Sequence, residues 1–222
     1  MSSEYTAVLE RLQQYRVSMN MTQEQFSSVM GIGQSKMCKL EKGDLIISYD
    51  FLKKLNDIQW DIDYLFVGQR EEAHSNILAE YIKTIPDRRE SKKLICWMIE
   101  SYFDYLNIDS MDCELFLFKS SLEDEENQTV LYYLRNYIKM TQVLLAEKLG
   151  IHQKKYRALE KEIKGPDAEV LLRLYLLTGC RPGIFFEENK EAFLVDVMCQ
   201  KIPAKKQKEM IELVETSQKL FD

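Results

Sequence analysis

Two stretches of this chain repeat one pattern of apolar and polar positions. From Thr22 the apolar residues Phe26, Val29 and Met30 recur at helical spacing, and from Thr141 the residues Leu144, Leu145 and Leu149 do the same. Thr22 and Thr141 stand where an N-cap belongs, since a side-chain oxygen there satisfies a free amide of the first turn. Gly31 and Gly150 close the two runs, as glycine does where the backbone must turn left-handed. A second short helix follows, its inner face marked by Met37 and Leu40 in one stretch and by Tyr156 and Leu159 in the other. Two short helices joined by a tight glycine turn predict a helix-turn-helix, twice.

The match is a register, not a coincidence of composition. Residues Leu12 to Phe66 align without a gap on Leu131 to Phe185 at a constant offset of 119. Identities include Leu12/Leu131, Arg16/Arg135, Met21/Met140, Thr22/Thr141, Gln23/Gln142, Gly31/Gly150, Gln34/Gln153, Lys36/Lys155, Leu40/Leu159 and Glu41/Glu160. A fainter repeat follows, 83–106 against 200–222, with Pro86 and Pro203 each entering an amphipathic helix at its first turn. On the first of these arms Leu94, Trp97, Met98, Tyr102 and Tyr105 form an apolar stripe, read either as core or as a dimer surface. Between the copies, "ELFLFK" reads equally as a short strand or a buried turn of helix, and "SSLEDEENQ" reads as an acidic loop.

Composition narrows the class. With 45% hydrophobic residues, 8 Gly and 4 Pro in 222 residues, the chain has the makings of one or two compact, helical domains. No apolar run reaches the roughly 18 residues of a membrane span, and the amphipathic N-terminus lacks the order of a signal peptide, so a cytoplasmic protein is expected. The five cysteines are scattered and form no C-x-x-C pair, which suits reduced packing residues better than a disulfide scaffold or zinc site.

Both copies resemble the phage-repressor and Cro type of helix-turn-helix, the XRE family. The resemblance rests on Leu12, Arg16, "TQ" at 22–23, Gly31, Glu41 and Gly43 in copy one, and on Leu131, Arg135, "TQ" at 141–142, "LAEKLGI" and Glu160 in copy two. It implies an all-α fold with two five-helix lambda-repressor-like domains, each followed by extra helical segments. The expected order is a first domain at 1–68, a helical connector with the acidic loop at 69–127, a second domain at 128–188 and a helical arm at 189–222. Copy two departs from the pattern with Glu162 in place of Gly43 and with "RPGIFF" at its end. In the family, Arg16 with Glu41 and Arg135 with Glu160 would be structural ion pairs tying the first helix to the third.

The resemblance also assigns a reading face. It would start at Gly33 and carry Gln34, Ser35, Lys36 and Lys39 in copy one, and His152, Gln153, Lys154, Lys155 and Arg157 in copy two, entering the DNA major groove. Glutamine suits adenine because its amide offers both a donor and an acceptor, while Lys and Arg reach guanine or phosphate. Gln23 and Gln142 match the position that touches phosphate and braces the reading glutamine. Charge is segregated accordingly. Residues 131–165 hold eight basic and three acidic side chains, 9–43 hold five and three, and the connector 69–128 holds seven and fourteen. Local basic faces on a chain of net charge −6 are what phosphate attraction requires.

No phosphate loop, nucleophile elbow or H-E-x-x-H motif is present, so no enzymatic activity, cofactor or metal is expected. The expected function is sequence-specific binding of double-stranded DNA by a bacterial or phage transcriptional regulator of the repressor type, with a homodimer through the helical arms as one assembly. The alternative is a protein-binding adaptor, anti-repressor or antitoxin built on a repurposed helix-turn-helix pair.

Overall fold

A computed structural model of the chain describes residues 2–69, 74–85, 88–108, 112–124, 126 and 128–219. The fold is all-α, and no strand is present among the described residues. In chain order the helices are α1 (Ser3–Ser18), α2 (Gln23–Val29), α3 (Gln34–Lys42), α4 (Tyr49–Asp57), α5 (Ile62–Val67), α6 (Ile77–Thr84) and α7 (Arg89–Leu106). They continue as α8 (Asp112–Glu123), α9 (Val130–Tyr137), α10 (Gln142–Lys148), α11 (Gln153–Glu160), α12 (Ala168–Thr178), α13 (Lys190–Cys199) and α14 (Ala204–Gln218), with a 3₁₀ turn at Pro182–Phe185 after α12. None is long and apolar enough to cross a membrane. They gather into two compact units, Met1–Arg70 with Thr141–Phe186 and Glu71–Met140 with Glu187–Asp222. Each unit draws on both halves of the duplication.

In the first unit the caps form as the sequence suggests. Thr22 Oγ1 accepts from the Gln25 amide at 3.2 Å while Gln25 Oε1 accepts from the Thr22 amide at 2.9 Å, a complete capping box. Thr141 caps α10 through the Leu144 amide at 3.3 Å. Gly31 and Gly150 adopt φ of +64° and +66°. The register repeats further: Asn20 and Lys139, and Gly43 and Glu162, are also left-handed pairs at the 119-residue offset.

The core of this unit gathers Leu12, Phe26, Met30, Met37, Leu40, Leu52, Leu55 and Leu65 from α1–α5, and Ala168, Leu171 and Leu172 of α12 join it directly. Tyr15 stacks on Trp60 at 3.9 Å between centroids, an offset or face contact worth about 1 kcal/mol beyond its burial. Two of the apolar residues that mark the helical spacing point outward: Val29 is 48% and Leu144 50% exposed. Phe26 and Ser27 of α2 with Met30 at its C-cap, and Leu145 and Ala146 of α10 with Leu149 at its C-cap, take the buried side instead. The last element of copy two is a 3₁₀ turn with Pro182 at its start, where copy one has α5; Pro182 supplies no amide and Gly183 is a poor helix former, so the turn stays short.

The second unit packs α13 against α6 and α8, α14 against α6 and α7, α7 against α8, and α8 against α9. Gln207 of α14 is fully buried yet satisfied, accepting from the Leu78 amide at 3.1 Å and donating to the carbonyls of Ser75 and Ile202 at 2.6 and 2.8 Å. Lys92 is buried against Glu191. "ELFLFK" is helix, within α8, with Leu117 and Phe118 buried. Residues 120–123 belong to that helix as well, so the acidic loop starts at Asp124, later than expected. Pro203 stands at the N-cap of α14; Pro86 lies outside the described residues.

On α7 the buried side is Ser91, Lys92, Ile95, Cys96, Met98, Ile99 and Phe103. Of the stripe read from the sequence, Met98 alone is buried, Leu94 and Tyr102 are half-buried, and Trp97 and Tyr105 are 61% and 83% exposed. The helix has apolar residues on two adjoining faces, and the one carrying Ile95, Ile99 and Phe103 at intervals of four goes inward.

Candidate nucleic-acid interface

The start of α3 is a polar, open surface. Gln34, Ser35, Lys36 and Lys39 are exposed, while Met37 and Leu40 on the opposite side are buried. α11 repeats the arrangement: His152, Lys154, Lys155 and Arg157 are exposed, Gln153 is half-buried, and Tyr156 and Leu159 face the interior. Neither Gly33 nor His152 caps its helix with a side chain. Each helix therefore presents free amides beside basic side chains, the combination that accommodates an anion.

Beneath the α3 surface lies a polar network. Arg16 of α1 donates Nε to Glu41 Oε1 at 2.6 Å and Nη2 to Oε2 at 3.2 Å, and its Nη1 reaches the Met21 carbonyl at 2.8 Å. Gln23 Nε2 donates to Glu41 Oε2 at 2.6 Å. Gln23 thus braces the carboxylate that anchors α3, not Gln34 as the resemblance implied. In copy two Gln142 donates to Glu160, which also accepts from the Tyr156 hydroxyl at 3.0 Å. Gln142 Oε1 in turn accepts from Arg157 Nε at 3.4 Å, so this glutamine touches α11. Arg135 donates to the Met140 carbonyl at 3.3 Å and lies 5.1 Å from the Tyr132 ring centroid. The Arg16–Met21 and Arg135–Met140 contacts are register equivalents.

A further equivalent pair went unread in the sequence. Lys54 Nζ donates to the Met30 carbonyl at 2.9 Å, and Arg173 Nη1 donates to the Leu149 carbonyl at 2.6 Å. Each cation sits at the C-terminus of α2 or α10, the helix preceding α3 or α11, where it complements the free carbonyls and the helix dipole. The signal was a conserved charge at offset 119, Lys in one copy and Arg in the other, which a search for identities passes over.

The two exposed faces also differ in an ion pair. Lys155 forms an ion pair with Asp167 at 2.8 Å, and Asp167 also caps α12 through the Val170 amide at 3.0 Å. The equivalent of Asp167 is Ser48, which caps α4 without adding charge. Between the copies, Tyr49 stacks on Phe186 and donates its hydroxyl to the Phe185 carbonyl at 3.0 Å. Burial, with the nearby carboxylates of Glu162 and Asp50, raises the Tyr49 pKa.

Among the described residues no group of three or more His, Cys, Asp or Glu side chains is placed to hold a metal ion. Comparison with protein-family models, curated proteins and solved structures finds no match for this chain.

Proposed function

We propose that the protein binds double-stranded DNA in a sequence-specific manner as an XRE-like transcriptional regulator, presenting the exposed starts of α3 and α11 to the major groove. The carrying observation is that two helices at equivalent register each display basic side chains outward beside a glutamine, Gln34 exposed and Gln153 half-buried, while anchoring the reverse face in a core. Gln34 and Gln153 would read adenine, and Lys36, Lys39, Lys154, Lys155, Arg157 and His152 would contact phosphate or guanine. Gln23 and Gln142 keep the reading helices in place through Glu41 and Glu160.

The test is selection of the purified protein on a random duplex pool at two salt concentrations, beside the Gln34→Ala, Gln153→Ala double variant. Enrichment of a motif by the parent, lost in the variant and weakened steeply by salt, is the expected result. Retention of nothing at either salt concentration would refute it.

One observation favours the adaptor reading: Trp97 and Tyr105 on α7 are exposed, and large exposed aromatics mark contact surfaces with protein. That reading predicts a protein partner or an arm-to-arm homodimer sensitive to Trp97→Ala, with no salt-dependent retention of DNA.

A further inference from the structure

Contacts between the duplicated halves carry information about their relative direction, because the 119-residue register says which residue of one half corresponds to which of the other. Two copies related by a translation meet through unlike surfaces. Two copies related by a twofold axis meet through the same surface, so that if residue i of one touches j of the other, j touches i, and some element near the axis touches its own duplicate.

Around α5 and the α4 start, the first unit shows the second pattern. α5 packs against the 3₁₀ turn Pro182–Phe185, which in register corresponds to residues 63–66 of α5 itself. Asp63 Oδ1 accepts from the Gly183 amide at 2.7 Å, and Gly183 corresponds to Tyr64. The Ala168 amide donates to the Ile47 carbonyl at 3.0 Å, which in register pairs residue 47 with the duplicate of Tyr49. The reciprocal contact, Tyr49 with the duplicate of Ile47 at Pro166, is met one residue away: the Tyr49 ring lies so close over Gly165 that a β-carbon there would come 2.1 Å from its Cγ. Core burial crosses the same seam: Leu171 and Leu172 join the core built by α1–α5, and Phe185 and Phe186 pack against it.

We infer that the parts of the duplicated segments that share the first unit, residues 22–66 and 141–185, meet about a pseudo-twofold axis within one chain, and that the chain alone therefore reads two half-sites in inverted orientation. The inference rests on the DNA-binding reading above and extends it. A twofold between α3 and α11 makes them run in opposite senses along any duplex that both contact, as the two strands of a palindrome do. The half-sites should be alike where Gln34 matches Gln153 and Lys36 matches Lys155. They should differ where Ser35 faces Lys154 in register and Cys38 faces Arg157. The expected ligand is an imperfect inverted repeat bound by one chain.

The experiment alters the DNA, so protein folding does not enter. The full-length protein is used to select a duplex from a random pool. The winning site is then compared with versions in which one half-site is flipped to make a direct repeat, or in which about half a helical turn is inserted between the halves. Stoichiometry is read by analytical ultracentrifugation. The inference expects one chain per duplex, an inverted arrangement among the selected sequences, and a loss of about 10²- to 10⁴-fold on flipping or insertion, the range gained when a second head binds intramolecularly. Selection of a direct repeat or a lone half-site, indifference to flipping, or two chains per duplex would overturn the pseudo-dimer and leave DNA binding standing. Failure to select any sequence would overturn DNA binding, and this inference with it.

Discussion

The Arg16–Glu41 pair offers the sharpest test of how α3 is held. Its side chains are only 11% and 4% exposed, so the charges have lost most of their water and depend on each other. Glu41 accepts two bonds from Arg16 and one from Gln23. Arg16→Met removes two of those three and leaves a buried carboxylate with Gln23 alone, which should cost about 3–5 kcal/mol. Glu41→Leu should cost less, about 2–3 kcal/mol, because Arg16 keeps the Met21 carbonyl and its long stem can carry the guanidinium to solvent. Together the two changes replace a pair with apolar volume, and the double variant should lie within about 1–2 kcal/mol of the parent. Of the 2 tryptophans, Trp60 is buried in the same core and Trp97 is exposed, so a Trp97→Phe background makes fluorescence report the first unit alone. With a urea m-value of about 2 kcal/mol/M, Arg16→Met should lower the unfolding midpoint by about 1.5–2.5 M. Additive losses in the double variant, or a cost below about 1 kcal/mol for Arg16→Met, would refute the claim that this network is buried and mutually dependent.

Two further outcomes follow from local chemistry. Glu162 holds φ at +54°, a conformation that costs a side-chain-bearing residue about 1–2 kcal/mol, part of which glycine returns in unfolded-chain entropy; Glu162→Gly should therefore raise stability by about 0.5–1 kcal/mol in denaturant unfolding, and a loss would contradict the argument. Burial pushes the thiols of Cys96 and Cys199 up to about 11 and about 12, whereas Cys38 on α3 is partly exposed. Because the thiolate is the reactive form, alkylation mapped by mass spectrometry at pH 8 should modify Cys38 at least 100-fold faster than either buried thiol. The same raised values mean that unfolding releases protons above the free-thiol pKa of about 8.5, so stability should fall as pH rises past it; rapid native labelling of Cys96 would contradict both.

The parts legible in the sequence are those decided within a turn or two of helix. Thr22, Thr141, Gly31 and Gly150 act on neighbours three or four residues away, and they stand where their chemistry required. Met37, Leu40, Tyr156 and Leu159 were readable as inner residues because their helices have a single apolar side. α7 has two such sides, and choosing between them depends on α8 and α14, far along the chain. "ELFLFK" was undecidable for a related reason: a short apolar run carries no period, and its helical state comes from packing between α7 and α9. Gln23 stood out in the sequence because the register repeats it at Gln142, but its partner Glu41 did not, since the bond spans 18 residues and could equally have gone to Gln34. The contact of α5 with its own duplicate was invisible until the register met a three-dimensional seam.

That register also separates what the duplication kept from what it let drift. The kept contacts are Arg16 or Arg135 to a methionine carbonyl, Gln23 or Gln142 to a carboxylate, and Lys54 or Arg173 to the end of the preceding helix. All three hold helices in mutual position. The drift lies on the open sides of α3 and α11, where Ser35 becomes Lys154 and Cys38 becomes Arg157. Copy two is the more basic by formal count, yet part of the excess is engaged internally, Lys155 with Asp167 and Arg157 with Gln142. An exposed pair of that kind is worth about 0–1 kcal/mol, little enough for a phosphate to compete for Lys155. A frame held constant with surfaces free to diverge is what a reader of two unlike half-sites needs. A pair of identical chains cannot diverge in this way, because any change on one head appears on the other.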